Sequence, residues 1–234
     1  MQIVVLAGGL GTRLGQLTSE TPKSLIPIHG KPFLEYQLDF LKRGGLENII
    51  LCVGYLGERI EKYFGDGKRF GVDIKYSYEN QHLLGTAGAL KNAKELLEDE
   101  FFVLYGDSYL FLDFVGIISY FRRYNKLALM TVYENHDRYD TSNVVIDGDK
   151  VKQYSKQRET KDTIYIDYGV SVLMKKALEL VPPNQVYSLD KLFDQLVRQD
   201  ELLAYQVEER FYHIGSVEGL EEFKKFFSQG KVVT

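Results

Sequence analysis

Hydrophobic positions along the chain fall into two alternating periods. Ile3–Ala7 and Phe101–Tyr105 are almost wholly apolar, and Asn48–Val53 nearly so, the pattern of strands covered on both faces. Pro32 opens a stretch with Leu34, Leu38 and Leu41 on one stripe, closed by Gly44-Gly45, which predicts an amphipathic helix. Glu58–Phe64 (stopped by Gly65), Thr86–Leu97 and Asp113–Tyr124 also read as helices, while Val72–Tyr78 and Leu127–Tyr133 return to strand. This rhythm over residues 1–133 predicts an α/β fold, Rossmann-like, with a mainly parallel sheet and helices on both faces.

The texture changes after residue 133. Ser142–Ile146 and Val151–Tyr154 flank Asp147-Gly148-Asp149 and read as a hairpin with an Asp-Gly turn. Thr163–Met174 is a long strand, and Leu202–Val207 a shorter one. Ser188 is placed to cap a helix bearing Leu189, Leu192, Phe193, Leu196 and Val197. Ser216–Phe227 forms a last helix with Val217, Leu220, Phe223 and Phe227 facing inward. No repeat or linker separates these parts, so the hairpin is expected as a small β-rich lobe over the sheet rather than an independent domain.

Chemistry concentrates where the first strand stops. Gly8, Gly9 and Gly11 leave the backbone uncovered, and a nest of amides after a strand holds anionic oxygens. Arg13 and Lys23 add two cations from the same loop, which suits a polyphosphate better than a neutral ligand. The loop is neither a Walker A motif, lacking a Lys after a correctly spaced glycine, nor a dinucleotide fingerprint, whose third glycine position is Leu14. Asp107 follows Gly106 at the end of an apolar strand, where a carboxylate would meet phosphate-bound Mg²⁺. Because ligands of α/β sheets bind beyond the carboxyl ends of the strands, the glycine loop, Gly85 and Asp107 are expected around one crevice.

Composition narrows the class. A chain of 234 residues, 44% hydrophobic, buries a substantial core, and its net charge of −4 argues against a general nucleic-acid binder. No apolar stretch approaches the ~18–20 residues of a membrane span. Met1-Gln2-Ile3 does not read as a signal peptide, so a cytoplasmic protein is expected. The single cysteine, Cys52, falls in a strand, excludes an internal disulfide and reads as a buried, inert thiol.

Leu6-Ala-Gly-Gly-Leu-Gly-Thr-Arg-Leu14 followed by Pro22-Lys23 resembles the signature of the sugar-1-phosphate nucleotidyltransferases. The resemblance continues through Pro27, Gly30-Lys31-Pro32, Leu84-Gly-Thr-Ala-Gly-Ala-Leu90 and Gly106-Asp107, and covers residues 1–110 most strongly. Its spelling is similar to guanylyltransferases acting on D-glycero-D-manno-heptose 1-phosphate or mannose 1-phosphate.

The resemblance implies the nucleotide-diphospho-sugar transferase type of fold, in one domain over residues 1–234. Residues 1–133 would form a nucleotide-binding core, and 134–234 a sugar-phosphate lobe with closing helices. It also implies a chain without the left-handed β-helix that some relatives carry. On the nucleotide it implies Leu6, Ala7, Gly8, Gly9, Gly11, Thr12 and Arg13 from the first loop. Gly85 would leave room for the base, with Thr86 and Gln81 beside it. On the sugar phosphate it implies Lys23, Asn143, Lys156 and Gly169, and as metal ligand Asp107 for Mg²⁺, with Mn²⁺ an alternative. Lys31 stands between surface and site. Self-association into a homo-oligomer is compatible with the pattern.

Two departures stand out. Lys156 is flanked by Ser155 and Gln157, where relatives have Glu and Pro. The relatives' Asp-x-Gly-Thr, whose Asp is a second metal ligand, reads His213-Ile-Gly-Ser216. Imidazole is a poor ligand for hard Mg²⁺. Asp107 with substrate oxygens could hold the metal, Asp167 or Glu209 could substitute, or His213 could bind substrate; the first is preferred.

The reaction needs no general base, because a sugar 1-phosphate is already ionised near neutral pH and can attack the α-phosphate directly. Positioning and charge neutralisation then carry the transfer, with Arg13, Lys23 and Asp107 as the catalytic set. The expected products are a nucleoside-diphosphate sugar and pyrophosphate, with GTP and a heptose or mannose-like 1-phosphate as substrates. UTP- or CTP-dependent transfer to another sugar 1-phosphate, N-acetylmuramate 1-phosphate among them, is the alternative. A non-catalytic nucleotide-sugar sensor has only His213 in its favour, and the full charge set of Arg13, Lys23 and Asp107 opposes it.

Overall fold

Ile3, Val4 and Val5 have no exposed surface, because the strand they form, β1 (Gln2–Leu6), lies inside a nine-stranded sheet covered on both faces. The computed structural model describes residues 1–79, 82–155 and 162–229. After β1 come the two-residue strands β2 (Pro27–Ile28) and β3 (Lys31–Pro32), then β4 (Asn48–Val53), β5 (Asp73–Tyr78) and β6 (Glu100–Tyr105). There follow β7 (Ser108–Tyr109), β8 (Ala128–Glu134), β9 (Val144–Asp147) and β10 (Lys150–Tyr154). The last are β11 (Tyr165–Met174), β12 (Leu202–Val207) and β13 (Tyr212–His213). The α-helices are α1 (Phe33–Arg43), α2 (Gly57–Phe64), α3 (Gly85–Asn92), α4 (Phe114–Phe121), α5 (Leu189–Arg198) and α6 (Val217–Ser228).

The large sheet has the order β5-β4-β1-β6-β11-β8-β12-β10-β9. Its first four strands are mutually parallel, and β12 is parallel to β8. One long strand, β11, runs antiparallel between β6 and β8. The mainly parallel sheet expected from the sequence is therefore present, with one reversed strand at its centre. Pattern alone cannot show this reversal, since a strand buried on both faces reads the same in either direction.

Alternate side chains of β1 enter two cores. Ile3 and Val5 join α1, α2, α4 and α6 through Leu34, Ile60, Phe114 and Phe223, whereas Val4 joins α3 and α5 through Leu90 and Leu192. Helices thus cover both faces. The hairpin expected as a lobe is β9–β10, and it is joined to the sheet edge by the pairing of β10 with β12. Two helix ends depart from expectation. The helix begun at Gly85 stops at Asn92, and Lys94–Leu96 forms a separate 3₁₀ turn. At α6, Ser216 caps Gly219 N–H at 3.1 Å, but Val217 is 47% exposed rather than inward.

With β1, β4, β5 and β6 parallel, their carboxyl ends lie along one edge. The loop after Leu6, Gly54, Glu79 and the Gly106-Asp107 turn all emerge there. That edge is where the site forms.

Candidate active site

Two cavities open at this edge and share Thr86, Tyr105 and Asp107. The first, of about 230 Å³, lies against Leu6–Gly9, Lys23, Cys52, Glu79, Leu83 and Gly85. The second, of about 530 Å³, is lined among others by Arg13, Asn143, Tyr154, Asp167, Gly169, Asp190 and His213. Asp107 stands at their junction.

Glycines build the first cavity in different ways. A Cβ on Gly8 would come within 2.7 Å of Glu79 Oε2 and 3.1 Å of Gly54 N, so this glycine lets strand ends pack. Gly9 has open space around it, as ligand approach requires. Among the described residues no hydrogen bond takes the amide of Gly8, Gly9, Leu10 or Gly11, whereas Ala7 N–H is used by Cys52 O at 2.8 Å. Four consecutive unspent donors at the end of a buried strand suit an anion. Gly11 has φ +66, and a Cβ there would strike Thr18, so it serves the turn; Gly11 and Thr12 line neither cavity.

Gly85 is required by backbone geometry as well as by space. Its φ is +74, and a Cβ would lie 2.9 Å from Tyr187 O, the carbonyl that accepts from Ala87 and Gly88 N–H at the start of α3. Thr86, expected beside the base, spends its hydroxyl oxygen on Leu189 N–H at 2.7 Å and so caps α5, a task expected of Ser188. Burial pushes the Cys52 thiol upward, and its Sγ lies 3.7 Å from Ala89 O, in keeping with an inert thiol in the wall. Glu79, with its carboxyl raised by burial, accepts from Leu84 N–H at 2.6 Å and fixes the loop before α3.

At the junction Lys23 Nζ donates to Asp107 Oδ2 at 3.0 Å, with both side chains largely buried. Pro22 holds the turn that presents Lys23. The Asp107 loop is held from three sides. Gly106 N–H bonds Leu6 O at 3.1 Å, Ile214 N–H bonds Asp107 O at 2.9 Å, and Gln37 Nε2 donates to Tyr105 O and Ser108 O at 3.2 and 2.7 Å. Gln37 is fully buried on the apolar stripe of α1. A lone amide among Leu34, Leu38 and Leu41 was the signal for it in the sequence. We expect Gln37→Leu to leave two carbonyls short of a donor, costing about 1–3 kcal/mol. Turnover would fall about tenfold with Tm changed by only a few degrees, which kinetics and a thermal melt check.

Arg13 lies at the second cavity rather than the first. A Cβ on Gly215 would come 2.9 Å from Arg13 Nη2, 3.2 Å from Asp107 Oδ2 and 3.3 Å from His213 Nδ1, so these three groups surround one glycine. The pairing of β13 with β7 sets His213 opposite Ser108. His213 Nδ1 accepts Gly215 N–H at 3.2 Å, which leaves Nε2 as the donor and takes Nδ1 out of metal ligation. Glu209 is exposed and lines neither cavity. Among the described residues no group of three His, Cys, Asp or Glu could hold a metal ion. A single carboxylate, Asp107, fits Mg²⁺ that keeps waters and phosphate oxygens in its other positions.

The second cavity is organised by β11. Its register shifts between Asp167 and Ser171, Gly169 within the bulge has φ +104, and Gly169 N–H bonds Asp167 Oδ1 at 3.0 Å. Asp167 Oδ2 accepts from Tyr105 OH at 3.3 Å and Tyr154 OH at 3.5 Å, and Asn143 Oδ1 accepts Asp167 N–H at 2.9 Å. Burial raises the Asp167 carboxyl from 3.8 to about 6, opposed by Gly169 N–H and the Tyr105 and Tyr154 hydroxyls and reinforced by Asp190. Gln81 and Lys156 lie outside the described residues. Lys31 is exposed in the β2–β3 hairpin and lines neither cavity.

The Asp167 shift carries a sign. Between pH ~4 and ~6 the folded chain holds a proton that the unfolded chain has lost, so stability falls as pH rises through this window and stays lower above it. Asp167→Asn removes that cost, at most ~3 kcal/mol for a gap of roughly two units. We expect Tm to rise by several degrees at pH 7.5 and to change little at pH 4, measured by calorimetry.

A family model described as nucleotidyl transferase matches residues 2–230. The chain is 32% identical over 224 residues to the D-glycero-alpha-D-manno-heptose 1-phosphate guanylyltransferase of Campylobacter jejuni, covering 95% of this chain and 98% of that one. It is also 32% identical over 214 residues to the UTP–glucose-1-phosphate uridylyltransferase of Synechocystis, covering 84% of this chain but only 55% of that protein's length. The crystal structure of HddC from Yersinia pseudotuberculosis, complexed with GMP-PN, superposes with TM-score 0.80 at 29% identity, over 97% of this chain and 99% of that one.

Proposed function

This chain belongs to the nucleotidyl transferase family, and on that premise we propose that it moves a nucleoside monophosphate from a nucleoside triphosphate to a sugar 1-phosphate, releasing pyrophosphate. The observation that carries this reading is the pair of cavities meeting at Asp107, one floored by unbonded glycine-loop amides. Two phosphorylated reactants in adjoining cavities need no more than alignment and charge neutralisation. In this reading residues 1–133 and 134–234 act as one nucleotidyltransferase unit.

The first cavity takes the nucleotide, with its base against Leu83, Gly85 and Cys52 and its phosphates on the amides of Gly8 and Gly9, running out along the unbonded amides of Leu10 and Gly11. The second takes the sugar phosphate, with Asn143 and Gly169 on the sugar side. Lys23 draws the α-phosphate and the incoming phosphate together. Arg13, on the sugar-phosphate side of Asp107, neutralises the attacking phosphate and the charge that develops. Asp107 would hold Mg²⁺, which when bound supplies charge neutralisation to the nucleotide phosphates. His213 Nε2–H is available as a neutral donor to substrate oxygen.

Guanylyl transfer to a heptose or mannose-like 1-phosphate is favoured by the Campylobacter relative, which carries a heptose 1-phosphate guanylyltransferase name over nearly its whole length. Uridylyl transfer is the second reading, favoured by the equally identical Synechocystis protein. Incubating the protein with Mg²⁺, each of the four nucleoside triphosphates and a panel of sugar 1-phosphates, with a pyrophosphate assay, tests both. GTP with a manno-configured sugar phosphate should release pyrophosphate fastest. Release only with UTP would move the assignment to the second reading, and no release with any pair would end the proposal.

A further inference from the structure

We propose that the second cavity selects sugar 1-phosphates whose sugar carries no negative charge, and that Asp167 enforces this by accepting hydrogens from the sugar. The inference rests on the sugar-1-phosphate reading above and narrows its substrate class. Its first support is position. Asp167, beside the bulge in β11, lines the cavity, and its carboxylate is fixed there by three donors of its own chain. A carboxylate can accept about four hydrogen bonds, so acceptor capacity remains for the ligand.

A second support is the company it keeps. Tyr154 OH lies 3.5 Å from Asp167 Oδ2 and 3.3 Å from Asp190 Oδ1, within reach of both carboxylates. Asp140 lines the same cavity on a loop that Asn135 ties down, with Nδ2 donating to Asp140 O at 2.6 Å. The cation among the described lining residues, Arg13, stands beside Asp107 and Gly215, at the junction with the nucleotide cavity. Among the described residues the sugar thus meets the Asp167 carboxylate, and Arg13 stands at the other cavity's mouth. Hydroxyl and ammonium groups satisfy such a wall. A carboxylate set about 5 Å from Asp167 meets a like charge in a partly desolvated site, a penalty worth ~10²-fold in affinity. Uronic acid 1-phosphates and N-acetylmuramate 1-phosphate, with its lactyl carboxylate, fall on the excluded side.

The test compares matched pairs at pH 7.5, glucose with glucuronic acid 1-phosphate and mannose with mannuronic acid 1-phosphate. Turnover is followed by pyrophosphate release, and binding by calorimetry beside a non-hydrolysable nucleotide. The neutral member of each pair should be favoured by ~10²-fold. Asp167→Asn should shrink that ratio below tenfold with the nucleotide KM unchanged, whereas Asp167→Glu, which keeps the charge, should preserve it. Equal use of both members, or a ratio unmoved in Asp167→Asn, overturns the inference. If no pyrophosphate is released with any sugar, the transferase reading fails, and the calorimetric ratio still decides this one.

Discussion

Asp107→Ala is expected to lower kcat/KM by ~10²–10³-fold. Its carboxylate stands where both cavities meet, and its loop is fixed from three sides by bonds to β1, Ile214 and Gln37. Such a fixed acceptor suits a group that must hold a divalent ion against two sets of phosphates. Removing the carboxylate also leaves Lys23 without its partner at 3.0 Å, so part of the loss could be positional. Asp107→Asn separates these effects. It keeps the shape and an acceptor for Lys23, yet a neutral amide holds Mg²⁺ poorly. A titration of rate against Mg²⁺ should therefore show the Asn variant needing far more metal, with Tm close to the parent. Near-normal rates in both variants would remove the metal role from Asp107.

Lys23→Ala comes second, with an expected loss of ~10²-fold. Lys23 Nζ donates to Asp107 Oδ2 at 3.0 Å. In the proposed reaction a metal held by Asp107 would take the carboxylate that Lys23 now bonds and leave Lys23 to the phosphates beside it. Lys23 and the metal would thus compete for one carboxylate, and the effects of removing Lys23 and Asp107 should not add. The double variant should be no more than about threefold slower than the slower single variant, since groups that act as a unit lose their effect once. Strict additivity, measured in the same kcat/KM assay, would mean that Lys23 and Asp107 act at separate points.

Much of this is legible in the sequence. The apolar run of β1, the glycine loop after it and the Leu34–Leu41 stripe of α1 each specify local structure through one strong physical signal, and each stands where it was expected. Strand direction was not legible for β11, and with it went the bulge that aims Asp167. The Asp167–Tyr154–Asp190 cluster joins residues from β11, β10 and α5, and no spacing within the chain announces their meeting. Glycines carry more than one requirement. Gly8 and Gly85 were assigned to ligand approach, while packing against Glu79 and Tyr187 already demands them. Arg13 is an expected nucleotide ligand in the sequence, and in the structure it lines the second cavity beside Gly215, a placement no local spacing announces.

The central claim is that the loop after β1 cradles a triphosphate beside Asp107 and Lys23, in the cavity all three line. A crystal structure with a non-hydrolysable nucleoside triphosphate and Mg²⁺ tests it most directly. Phosphate oxygens on the amides of Gly8–Gly11, metal density on Asp107 and Lys23 Nζ moved from Asp107 to a phosphate are the predicted result. Nucleotide bound elsewhere, with those amides unoccupied and the Lys23–Asp107 pair intact, would contradict it.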